Sequence, residues 1–126
     1  PAPGGLQVPL PDYKRNLEAI LALAREHSVP CVWVRTTPVN ENTPHWPAKV
    51  IAKRISDINA YNHAADAIMT RHGAPIIDLF HFSRNLGDGI YLNGEDSVHF
   101  NEEAAKSQAA YIAGYLSRII GAARDS

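Results

Sequence analysis

The sequence predicts an α/β fold built on parallel strands. Three observations carry that expectation. Three stretches repeat apolar residues at helical spacing, two short runs between them are continuously apolar, and the two kinds of segment alternate. The order helix, strand, helix, strand, helix lays helices over a parallel sheet through right-handed crossovers.

Residues 1–11 hold four prolines and two glycines and read as a linker or exposed loop. Pro11 suits a first helical position and Asp12 a first turn. Tyr13, Leu17, Ile20, Leu21 and Ala24 then share one helical face, and this helix ends near His27, ahead of Pro30. Cys31-Val32-Trp33-Val34 is continuously apolar, with β-branched and aromatic content, and predicts a strand buried on both faces. Residues 37–48 form a loop rich in Pro, Asn and Thr. Ile51, Ile55, Ile58, Asn62, Ala65 and Met69 mark a long second helix with one polar interruption, closed by Gly73 with Arg71 in its last turn. Pro75-Ile76-Ile77-Asp78-Leu79-Phe80 is the second strand, and residues 81–100 are a long loop. Ala105, Ala109, Ile112, Leu116 and Ile119 define the last helix, which closes near Gly121. Asn101 is its N-cap, and Glu102 and Glu103 complement the positive end of its dipole.

A chain of 126 residues makes one domain at most, able to bury roughly two thirds of its unfolded surface. Hydrophobic content of 45% with 20% charged residues suits a globular protein. A formal net charge of −1 without a basic run argues against nucleic acid or an anionic membrane as main partner. No apolar stretch approaches the ~20 residues of a membrane span. The single Cys31 rules out an internal disulfide and a multi-cysteine metal site. The six histidines show no tight ligand spacing, so neither a metal nor a cofactor is expected. No signal-peptide pattern is present, and the loop-like opening from Pro1 to Gly5 leads us to expect an upstream region.

Two pairs share the spacing Asp-x-x-His: Asp78 with His81, and Asp96 with His99. That spacing suits a histidine base whose second ring nitrogen is held by a carboxylate, which sets its tautomer and stabilises the imidazolium. Asp78 ends a strand, where open α/β sheets place ligands. Asp96 and His99 precede a firmly capped helix, in a loop given an irregular rim by Gly87, Gly89 and Gly94. By spacing alone the pairs compete equally. Thr37, Pro38, His45 and Trp46 lie in the loop after the first strand and are candidates to line an acyl or sugar pocket. Cys31 reads as an inert buried thiol, Asn62 as a hydrogen-bonding partner of loop backbone, and His63 and His72 as solvated helix residues.

Thr36-Thr37-Pro38-Val39 after a strand, Tyr61-Asn62 in the next helix, Ile77-Asp78-Leu79-Phe80, and Asp96-Ser97-Val98-His99-Phe100 occur here in order. Together they resemble the C-terminal half of the SGNH (GDSL-type) hydrolases, a family of esterases and lipases, from about Leu6 to Leu116. The resemblance implies a flavodoxin-like sandwich with a five-stranded parallel sheet, of which this chain would supply the last two strands and three helices. It makes Asp96 and His99 the aspartate and histidine of a catalytic triad. The family's nucleophilic serine, in a Gly-Asp-Ser motif, and its oxyanion-hole glycine and asparagine belong to the first half of the domain. Neither Gly-Asp-Ser nor Gly-x-Asn-Asp occurs in this chain.

The expectation is therefore a serine esterase acting on short acyl or acetyl esters of a small molecule or carbohydrate, with this chain handling the proton. A non-catalytic α/β binding or assembly module is the alternative. Two strands are too few for such a sheet, so strand 31–34 is expected to pair with an N-terminal fragment of the same enzyme or with a swapped copy.

Overall fold

Hydrogen-bonded helix ends, more than strands, organise the computed structural model, which describes residues 7–41, 54–92 and 98–125. The chain runs through α1 (Leu10–Glu26), β1 (Trp33–Val34), α2 (Ile55–Arg71), β2 (Ile76–Ile77), α3 (Leu79–Asn85), a 3-10 turn (Asp88–Ile90) and α4 (Glu102–Asp125). The two strands pair in parallel, Trp33 opposite Ile76 and Val34 opposite Ile77. The α/β alternation is present, with helix far outweighing strand.

Pro11 stands in the first turn of α1, where its missing N–H has no helical partner to lose. Leu17 and Leu21 turn inward, whereas Ile20, expected on the same face, is 57% exposed. Only a narrow stripe of α1 is covered, because α1 packs on α2 and one side of a two-stranded sheet. Leu17 and Leu21 meet Ala65, Ile68 and Met69 of α2, with Cys31, Trp33 and Ile76 of the sheet side packed against them.

Both helices close in the same way. Ser28 N donates to Arg25 O and Val29 N to Ala24 O; Gly73 N donates to Thr70 O and Ala74 N to Met69 O. These are Schellman caps, which need a left-handed residue at the turn. Gly73 takes it at φ +72°, and Ser28 at φ 55°. The start of α2 has no side-chain cap of its own, and Glu41 supplies one from the preceding loop, its carboxylate accepting from Ile55 N at 2.6 Å.

Three expectations are corrected here. The run expected as a strand over 75–80 pairs only at Ile76–Ile77, and residues 79–85, divided between that strand and a long loop, form α3. An apolar run this short fits either state, and the Asp78 side chain decides by capping the helix. The described residues therefore hold four α-helices, one more than expected. The face of α4 is rotated: Ala104 and Gln108 are buried while Ala105 and Ala109 are exposed, and the helix runs through Gly121 to Asp125. Gln108 Nε2 donates to the fully buried Ser83 Oγ at 2.8 Å, a polar contact that apolar periodicity could not register. Finally, residues 31–34 are half-buried, since β1 has one neighbouring strand among the described residues.

Candidate functional site

At the carboxyl ends of β1 and β2 a charged network replaces the apolar core. Arg35 directly follows β1. Its Nε and Nη2 reach Asp66 of α2 at 2.9 Å each, and its Nη1 reaches Asp78 at 2.7 Å. Asp78 closes β2 and opens α3. Its Oδ1 accepts from the His81 backbone N–H at 3.1 Å, and its Oδ2 pairs with His81 Nδ1 at 2.8 Å. Burial pushes the Asp78 carboxyl pKa upward, but the hydrogen bonds from the His81 amide and ring and from Arg35 outweigh it, so the net shift is downward. The Asp66 hydrogen bond holds the Arg35 guanidinium pKa above its ordinary value.

Asn62 does what its position on the inner face of α2 suggested. Its Oδ1 accepts from Thr36 N and its Nδ2 donates to Thr36 O, both at 2.9 Å, clamping the loop after β1. Asp66 lies four residues on, on the same helical face. An acidic residue at i+4 on a core-facing stripe needs a cation, and this was the available signal for Arg35. Beyond the clamp, Thr37 is half-buried and Pro38 buried. Val39 packs on Ile58 and Phe80, and Val98 packs against the same cluster.

Val98 brings the last loop to this end of the sheet. His99 follows it, exposed. Phe100 then turns inward against Ile90, Tyr91 and Ala104, its ring 5.3 Å from that of Tyr91. The alternation in, out, in is that of a strand, and Tyr91 and Phe100 form an antiparallel bridge. Leu92 N donates to His99 O at 3.1 Å and Asn101 N to Ile90 O at 2.8 Å. Asn101 is the N-cap expected for α4: its Oδ1 accepts from Ala104 N at 2.9 Å, while its Nδ2 donates to Gly89 O at 2.8 Å. His99 thus sits exposed on backbone pinned from both sides.

Asp96, His45 and Trp46 lie outside the described residues. The Asp78–His81 pair is formed, but His81 is largely exposed on α3 and its aspartate also serves Arg35 and the helix cap. His63 is exposed as expected; His72 is not. The His72 ring is enclosed at the end of α2, with Nδ1 3.0 Å from Arg25 and Nε2 2.6 Å from Glu18, which also pairs with Arg71. This cluster ties the end of α2 to α1. Cys31 is half-buried against the α1–α2 core. Among the described residues no three His, Cys, Asp or Glu side chains converge as metal ligands, and no helix is long and apolar enough to cross a membrane.

Comparison with known proteins finds no family model that matches this chain and no curated protein that matches it.

Proposed function

We propose that this chain forms the proton-handling part of a serine esterase of the SGNH type, with His99 as general base and acid and Asp96 as its orienting carboxylate. The observation that carries the reading is the Val98-His99-Phe100 junction. Two inward apolar neighbours, a backbone hydrogen bond and a capped helix hold one outward histidine at the carboxyl end of a parallel sheet. A general base needs that fixed, accessible placement. In the first step His99 takes the serine hydroxyl proton as the serine oxygen bonds to the ester carbonyl carbon. The bond to the leaving oxygen then breaks, and that oxygen receives the proton. Water repeats the sequence on the acyl-serine, so ester and water become acid and alcohol.

The serine comes from a companion segment that pairs along the open edge of β1. Trp33 N and Arg35 N donate to Pro75 O and Ile77 O of the β2 strand segment. The Val34 amide between them therefore points to the opposite edge, where the described residues provide no strand.

The test is ester hydrolysis by the full-length gene product. His99→Ala is expected to lower p-nitrophenyl acetate turnover by several orders of magnitude, and Asp96→Asn somewhat less, since some imidazole remains aligned. Near-wild-type activity in His99→Ala would overturn the role. The Asp78–His81 contact of 2.8 Å favours a second reading, with His81 as base. Loss of activity in His81→Ala with His99→Ala active would select it. A gene product that lacks a Gly-Asp-Ser segment and hydrolyses no ester would instead be a non-catalytic α/β module.

A further inference from the structure

The bridge that pins His99 also sets which side chain stands beside it. Tyr91 faces Phe100 directly, and their rings share one face of the two-residue ladder. Flanking positions alternate to the other face, so the next cross-strand pair is Leu92 with His99. The Leu92 N–H to His99 O hydrogen bond fixes that register. Side chains paired this way have Cβ atoms about 4.5–5.5 Å apart. His99 is exposed, and Leu92 is a large hydrophobic residue left 36% exposed. Leu92 belongs to none of the buried clusters of the described residues and keeps over a third of its surface open. It does give the histidine an apolar neighbour.

We infer that Leu92 is a specificity-determining residue, the wall against which the alcohol part of the ester lies, and that the preferred substrates are esters of apolar alkyl or aryl alcohols. This rests on the role proposed for His99. As general acid, that histidine must come within about 3 Å of the leaving oxygen. A side chain one ladder position away then abuts the first carbons of the alcohol rather than the acyl chain. Leucine offers neither donor nor acceptor. A sugar hydroxyl pressed against it would lose water without gaining a partner, whereas an alkyl group buries apolar surface there. The geometry thus chooses between the small-molecule and carbohydrate esters that the sequence left side by side.

The experiment keeps the acyl group constant and varies the alcohol. The full-length gene product is assayed with hexyl acetate and with an O-acetylated methyl glucoside. Wild type is expected to prefer hexyl acetate. Leu92→Ala should lower kcat/KM for hexyl acetate roughly tenfold, mainly through KM, with the sugar ester changed less than about twofold. Leu92→Asn, close in shape but polar, should shift the preference the same way. The pH profile should keep its shape in both variants, because His99 is untouched. Equal losses on both substrates, or no change on either, would overturn the role of Leu92 while His99→Ala remained inactive. Activity that survived His99→Ala would overturn the esterase reading itself, and this inference with it.

Discussion

Asp78 carries more of the structure than its place at the end of a short strand implied. One carboxylate caps α3, orients His81 and neutralises Arg35, which in turn holds Asp66 on α2. Its pKa is depressed on folding, so its contribution to stability is present above the unfolded value near pH 4 and is lost as pH falls through the folded value. We expect the urea midpoint of the full-length gene product to drop between pH 6 and pH 3 by more in the wild type than in Asp78→Asn. Asparagine keeps the N-cap and loses the charge, so the difference reports the ion pairs rather than the helix start. Equal drops would remove the linkage. The Asp-x-x-His spacing marked Asp78 and His81 as a side-chain pair but not as a helix cap, and Asp66 on the inner face of α2 called for a cation without naming Arg35. Its two partners are 31 and 43 positions away, and only the parallel pairing of β1 with β2 brings them to one point.

The elements show how far local chemistry reaches. Two identical caps close α1 and α2, one with glycine and one with serine in the left-handed region, and only the glycine is free of the Cβ penalty. Gly73→Ala should therefore destabilise by about 1 kcal/mol. A Cβ there meets nothing within 4 Å, so the cost is backbone strain alone. Ser28→Gly should stabilise by about 0.5–1 kcal/mol. Chemical denaturation of both variants checks the pair, and shifts of the same sign would refute the cap assignment. The stop at Gly73 and the start at Asn101 were visible because capping is a matter of adjacent residues. The start of α2 was not, because its cap is Glu41, 14 residues upstream.

For the whole molecule the question is what covers β1. The described residues form three separate small clusters rather than one continuous core. Ile20, Leu23, Val29 and Ile120 remain 52–58% exposed, and Trp33 Nε1 is buried without a hydrogen-bond partner among the described residues. Covering four half-exposed aliphatic side chains would contribute roughly 4 kcal/mol, comparable to the net stability of a small domain. The edge of β1 that has no partner strand among the described residues is a template for pairing. Residues 1–126 expressed alone should therefore self-associate or bind ANS strongly and unfold without a sharp transition. A companion segment that completes the sheet should reverse all three. A soluble monomer with cooperative unfolding and low ANS fluorescence would show that no further strand is required.

The sequence by itself determined the three long helices, the closing turns of the first two, the approximate places of the two strands and the N-cap ahead of α4, because each depends on residues within about one helical turn of one another. It also marked Asn62 as a polar group needing partners inside. The tertiary structure alone decided that 79–85 is helix, that α4 turns Ala104 and Gln108 inward, and that Ile20 faces out. Those outcomes depend on which surface lies opposite, and periodicity names a stripe without naming what covers it. It alone assembled Arg35, Asp66 and Asp78, and joined Leu92 N to His99 O. A charge network and a cross-strand pair are contacts between distant segments, and they exist only once backbone hydrogen bonding has fixed the register.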